Sequence, residues 1–214
     1  MLQTEVFGHQ WNLFPQKAAY MPALKTLLMA DLHLGKVNHF RRSGIPIPQA
    51  ANDKNTERLI DLLNQVKPKR FIILGDLFHS DYNPEWEVFG QIRKHFASIS
   101  FELVKGNHDV MSRYQYDKHE ILLHESQLQI ENLLLSHEPL QEAREGLFNV
   151  YGHIHPGVRL KGKGRQNVTL PCFYFTEQEA LLPAFGLFTG LYRIQPKKND
   201  KVFVIVEDKV MNIA

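Results

Sequence analysis

With 214 residues, 43% of them hydrophobic and 22% charged, the chain has the composition of a soluble globular protein, and its length fits one domain spanning residues 1–214. A formal net charge of +2 is too small to announce a nucleic-acid binder, and no window approaches the ~18 consecutive apolar residues that cross a bilayer. One cysteine, Cys172, leaves no internal disulfide framework, which suits a reducing compartment. The opening MLQTEVFGHQWNLF has no basic leader and no small-residue cleavage site, so the expected location is cytoplasmic, with no membrane partner.

Taken in chain order, residues 24–30 (LKTLLMA) form an apolar run that ends at Asp31. A helix follows over about 49–66, with Leu59, Ile60, Leu62, Leu63 and Val66 apolar and a stop at Pro68. Residues 71–74 (FIIL) end at Gly75-Asp76. A second helix begins at Asn83-Pro84, an N-cap followed by proline at the first helical position, and runs to about Phe96. Residues 101–105 end at Gly106-Asn107, 133–135 at Ser136-His137, and 148–151 at Gly152-His153. The last third reads as strands at 167–175, 191–194 and 202–206, with turns at Phe185-Gly186 and Lys198-Asn199-Asp200. Strand–helix alternation followed by strands predicts a mixed α/β (α+β) fold, a sandwich of two mixed β-sheets flanked by helices.

What sits after each apolar run carries the chemistry. The five ends are Asp31-Leu32-His33, Gly75-Asp76, Gly106-Asn107-His108-Asp109, Ser136-His137-Glu138 and Gly152-His153-Ile154-His155. All offer oxygen or imidazole ligands at the carboxyl ends of strands, where open α/β sheets place their sites. In extended backbone, residues i and i+2 point the same way, so Asp31 and His33 are expected to share one ion. A single Asp-x-His is weak: 9 Asp and 11 His give roughly half a chance occurrence, and Asp117-Lys118-His119, after no apolar strand, reads as solvated surface. Gly-Asn-His-Asp is far rarer, with a chance expectation on the order of one in several hundred. Neutral imidazole, carboxylate and amide oxygen suit Mn²⁺, Fe or Zn²⁺.

The ordered set Asp-x-His, Gly-Asp, Gly-Asn-His-Asp, Ser-His-Glu and Gly-His-x-His resembles the calcineurin-like metallophosphoesterase superfamily. Finer motifs are similar to the bacterial ligase-associated DNA damage response endonuclease/phosphoesterase. They are Asp-Leu-His-Leu-Gly-Lys at 31–36, Arg-x-Gly-Ile-Pro-x-Pro at 42–48 and Gly-Asp-Leu-Phe-His-Ser at 75–80, then Gly-His-Ile-His-Pro at 152–156 and Leu-Pro-Ala-Phe-Gly-x-Phe-Thr-Gly at 182–190. The resemblance implies two divalent ions, Mn²⁺ ahead of Fe or Zn²⁺. Asp31, His33, Asp76 and His155 would hold one, and Asp76, Asn107, His137 and His153 the other, with Asp76 as bridge. It implies that His108 is the general acid on the leaving oxygen, oriented by Asp109. The implied activity is phosphodiester hydrolysis, on DNA in a repair setting and in association with a DNA ligase or helicase.

Other readings stay open at this level. The enzyme could act on nucleotides or other small phosphoesters, or the chain could be a non-catalytic scaffold. His79 either approaches the site or caps the start of the next loop. Arg41 and Arg42 either reach substrate phosphate or form a solvated helix face. Arg159, Lys161, Lys163 and Arg165, starting four residues after His155, either track a nucleic-acid backbone or make a soluble hairpin tip. No interleaving of aromatics and arginines marks a base-stacking platform.

Overall fold

A computed structural model describes residues 1–35, 50–78, 82, 84–142, 144–162, 167–187 and 189–213. Sheet one joins, in order, β1 (Leu2–Val6), β2 (His9–Phe14), β3 (Ala18–Met21), β4 (Thr26–Ala30), β5 (Arg70–Leu74), β6 (Ser100–Val104) and β7 (Leu122–His124). The first four strands form an antiparallel meander, and β4 to β7 run parallel. Sheet two centres on β9 (Leu133–Ser136) and β10 (Phe148–Tyr151), which pair in parallel, with β8 (Gln127–Ile130) at one edge. It continues through β13 (Glu179–Leu181) and β12 (Asn167–Phe175) to β11 (Pro156–Lys161) and the edge strand β14 (Tyr192–Arg193). The hairpin of β15 (Lys201–Val206) and β16 (Lys209–Asn212) joins it through β12.

Side-chain alternation divides the core into layers. From β4 and β5, Leu27, Met29, Phe71 and Ile73 pack against the helices, while Leu28, Ala30, Ile72 and Leu74 meet sheet two. Strands covered on both faces become continuous apolar runs. This is why β4, β5, β6, β9 and β10 were readable in the sequence. Helix α1 (Ala50–Val66) contributes Leu59, Leu62 and Leu63 to the first layer. It ends where Lys67 turns left-handed (φ 47°) ahead of Pro68. Helix α2 (Pro84–His95) inserts Trp86, Phe89 and Ile92, with Glu85 and Glu87 in its first turn and Arg93, Lys94 and His95 in its last, as the helix dipole favours. The short α3 (Arg113–Lys118) leads into β7.

Three expectations change. The N-terminal meander and the short β7, β8, β13 and β16 were not anticipated, and the strand expected at 191–194 shrinks to Tyr192–Arg193. His119 is not surface: it is 5% exposed, edge-on to Trp86 and close over Gly90. No helix among the described residues is long and apolar enough to cross a membrane.

Candidate metal centre

The two sheets bring their strand ends to one place. Asp31 and His33 follow β4, Asp76 follows β5, Asn107 follows β6, His137 follows β9, and His153 and His155 follow β10. The chain does not arrive extended. Asp31, His33, Asp76, His153 and His155 all hold positive φ, between 47° and 61°. The expectation of an extended Asp31–His33 pair is therefore corrected: two left-handed residues turn the side chains inward. Each such residue costs of order 1–3 kcal/mol and persists only where its surroundings enforce it.

That enforcement is visible in the backbone. The amides of Asp31, His33 and Leu34 donate to the carbonyls of Gly75, Asp76 and Leu77 at 3.2, 2.9 and 2.9 Å, which carries the β4–β5 pairing past the strands. The Phe185 amide donates to Ala30 O at 2.9 Å and the Gly186 amide to Asp31 O at 3.1 Å, so the 182–190 motif braces the first ligand loop from its other side. Glycine before a ligand supplies space. A Cβ on Gly75 would run into the His137 ring, and one on Gly152 would sit 2.6 Å from Asp31 Oδ2.

Two groups of candidate ligands result, Asp31 with His33 and His155, and Asp76 with His137 and His153. Asp31 is 0% exposed; its Oδ2 accepts the His153 amide at 2.9 Å. Its Oδ1 and His155 Nε2 stand 3.4 Å apart, both buried, and no hydrogen bond among the described residues satisfies either. In the second group His137 Nδ1 lies 3.0 Å from Leu74 O, which can only accept, so the ring proton belongs there and Nε2 offers a lone pair. Around that Nε2 stand Asn107 Oδ1 at 3.0 Å, His153 Nδ1 at 3.1 Å and Asp76 Oδ1 at 3.4 Å. Lone pairs gathered this closely around a buried histidine call for a shared cation. Asp76 stands between the groups: its other oxygen, Oδ2, is 3.7 Å from His33 Nε2. The donor set fits hard or borderline divalent ions.

A search of the curated proteins finds no match. The family model for calcineurin-like phosphoesterases matches residues 24–205. The chain belongs to that family. Among solved structures, the Pseudomonas putida nuclease MPE is similar over 99% of each chain, at 30% identity and a TM-score of 0.83. Yfce, a phosphoesterase from E. coli, aligns over 88% of this chain and 98% of its own, at 15% identity and a TM-score of 0.47. This calcineurin-like phosphoesterase is accordingly a metal-dependent hydrolase, with the mixed two-sheet fold its motifs implied.

Within the phosphoesterase, all seven candidate ligands converge. His108 joins them half-buried, its ring edge-on to His33 with centroids 5.7 Å apart, and its amide donates to Asp76 Oδ1 at 3.0 Å. Asp109 does something the sequence did not suggest. Its Oδ2 accepts the amides of Asp76 and Gly106, both at 2.8 Å, and its Oδ1 accepts that of Phe78 at 3.3 Å. The carboxylate thus ties the Asp76 loop to the Asn107 loop. Burial pushes it up to about 6, with nearby Asp76 adding to the shift and the amide bonds opposing it. Arg159 and Lys161 lie exposed on β11 itself rather than at a hairpin tip. Arg41, Arg42, His79, Lys163 and Arg165 lie outside the described residues. Cys172 is buried in β12, its thiol pushed up to about 12 by burial, and plays no part in the site.

Proposed function

We propose that this chain, acting as a single domain, is a dinuclear phosphodiesterase whose natural substrate is a polynucleotide, DNA first. The carrying observation is the position of the Asp76 carboxylate, with one oxygen facing His33 and the other facing His137. Asp31, His33 and His155 would hold one divalent ion and Asn107, His137 and His153 a second, with Asp76 placed to serve both. Mn²⁺ is the first candidate, with Fe and Zn²⁺ compatible with the same donors. Ions bound there would supply charge to the phosphoryl oxygens and a nucleophilic water near neutral pH.

The protein's own groups do the rest. Asp31 and Asp76 hold negative charge in a buried place and so set the affinity for cations. His108 is oriented through its amide by Asp76 and delivers a proton to the departing oxygen. Asp109 keeps the Asp76 and Asn107 loops in register. Support for a polynucleotide comes from the full-length similarity to a nuclease, and the choice of DNA from the resemblance in the finer sequence motifs. The repair setting and a ligase or helicase partner rest on the finer sequence motifs alone. The test is a panel of bis(p-nitrophenyl) phosphate, p-nitrophenyl phosphate, single-stranded and duplex DNA, each with Mn²⁺, Fe²⁺ or Zn²⁺ restored to metal-stripped protein. Cleavage of DNA and of the diester, well above the monoester, is the expected outcome. Activity confined to small esters would place the enzyme on nucleotides instead, and no activity with any ion would indicate a scaffold.

A further inference from the structure

The sheet that ends at His155 continues outward, and one of its faces is unusually charged. Strand β11 pairs antiparallel with β12 and parallel with β14, which places Arg159 opposite Thr169, Lys161 opposite Asn167, and Gly157 opposite Arg193. Residues paired across strands share a face, and positions two apart on one strand do as well. Arg193, Arg159 and Lys161 therefore lie on the same face. All three are exposed, and none forms an ion pair among the described residues. No carboxylate occupies any of the paired positions on that face. Gly157 leaves room for Leu191, whose Cβ would stand 3.0 Å from a Cβ added there, so β14 lies close against β11 with an apolar side chain beside its cation.

The face is anchored to the metal centre through the main chain. The Tyr192 amide donates to the carbonyl of His155, a candidate ligand, at 3.0 Å, and the Ile194 amide donates to Gly157 O at 2.9 Å. Arg193 is thus held one residue from that tie, while Arg159 and Lys161 step away along β11 at roughly 6.6 Å per pair of residues. That spacing is comparable with the separation of successive phosphates on an extended nucleic-acid backbone.

We infer that Arg193, Arg159 and Lys161 form a track on the β14–β11 face that binds the phosphate backbone of the polynucleotide beyond the scissile bond. The inference rests on the polynucleotide reading above and adds Arg193 as the contact nearest the metals. Charge complementarity selects the occupant: three cations with no ion pair among the described residues and no carboxylate at their paired positions, beginning beside a phosphoesterase centre, suit a polyanion. Each neutralised phosphate contact contributes to the salt dependence of binding.

The test uses full-length protein with Arg193→Ala, Arg193→Lys and Arg159→Ala/Lys161→Ala. Fluorescence anisotropy with a labelled oligonucleotide, at several salt concentrations and without added divalent ions, gives affinity and salt slope. Arg193→Ala is expected to weaken binding roughly 3- to 10-fold at low salt and to flatten the log–log slope by up to ~0.7 on a single strand or ~0.9 on duplex. Arg193→Lys should restore the slope. In turnover, kcat/KM for the oligonucleotide should fall several-fold further than kcat/KM for bis(p-nitrophenyl) phosphate. Unchanged slope and affinity in Arg193→Ala and in the double variant, with wild-type DNA binding intact, would overturn the track while leaving the nuclease reading in place. Equal losses on both substrates would make Arg193 a support for the His155 loop instead. A change of oligomeric state in Arg193→Ala, seen by sedimentation, would mean that the face joins two copies of the chain. If wild type neither binds nor cuts any oligonucleotide yet hydrolyses the diester, the track and the polynucleotide reading fall together.

Discussion

The floor and the rim of this site are built in opposite ways. On the floor, Asp31, His33, Asp76 and His137 are at most 5% exposed, the first three held by left-handed backbone and all by hydrogen bonds that cross between strands. On the rim, His108 is half-buried, and Arg159, Lys161 and Arg193 project from a sheet edge into solvent. Rigid burial lets the floor keep several lone pairs facing one another, an arrangement that free side chains would relax away from. The rim has no such requirement, because a polyanion can be gripped by mobile cations at modest cost. The proposed chemistry therefore belongs to the floor, and the proposed choice of substrate to the rim. Changes to the two regions should fail differently.

The largest effect belongs to the residue the floor shares between its halves. Asp76→Asn should reduce turnover on every substrate by on the order of 10⁴-fold or more and lower bound metal below two ions per chain. Steady-state kinetics with elemental analysis checks both, and full occupancy with wild-type turnover would break the assignment. His108→Ala stands at the boundary. It should keep its metals and fold, yet lose roughly 10²–10⁴-fold in turnover, less for nitrophenol esters than for DNA because a good leaving group needs little protonation. Equal losses on both would argue for phosphate positioning rather than acid catalysis.

Stability effects come next and should be confined to the floor. Restoring Mn²⁺ to stripped protein at about 100 times its Kd should add ~2.7 kcal/mol of stability, read as a rise in melting temperature that chelator reverses. Indifference of the melting curve to the ion would contradict a preassembled metal site. Asp109→Ala should cost about 1–3 kcal/mol, since three backbone amides lose their shared acceptor in a buried place. It should also weaken metal binding through the displaced Asp76 loop. A variant as stable as wild type would show that the carboxylate does not hold the loops. The smallest effect is at the rim, where neutralising Arg159, Lys161, Lys163 and Arg165 together should weaken DNA binding in a salt-dependent way and leave the melting temperature within about 1 °C, as exposed charges contribute little to stability. Loss of folding in that variant would mean the rim is structural after all.

How much of this was legible in the sequence follows the same division. Strands such as β5 and β10, buried on both faces, announce themselves as apolar runs, and the ligands stand where those runs stop. The seven candidate ligands stand at or just after those stops, and the family resemblance marks them out as a set. Strand β1 could not be read this way, because its alternation of half-buried and exposed residues (Leu2, Thr4 and Val6 inward) spans only five positions. Strand β14 is two residues long, and the close approach of Leu191 to Gly157 beside it has no signal of its own in the sequence. The left-handed backbone at Asp31 and His33 has no sequence signal, since neither is glycine and both are fixed by Gly75 and Asp76, just past β5. Asp109 reads as a neighbour of His108, yet one of its three amide partners is 33 residues away in sequence. A role set by tertiary contact cannot be read from adjacency.

The proposed dinuclear centre requires Asp76 to stand between two ions. Anomalous diffraction at the manganese edge, from crystals of the full chain grown with Mn²⁺, tests it directly. Two peaks about 3.5–4 Å apart are expected, one beside Asp31, His33 and His155, the other beside Asn107, His137 and His153, with the Asp76 carboxylate touching both. A single peak at saturating metal, or two peaks that Asp76 does not bridge, would contradict the proposal.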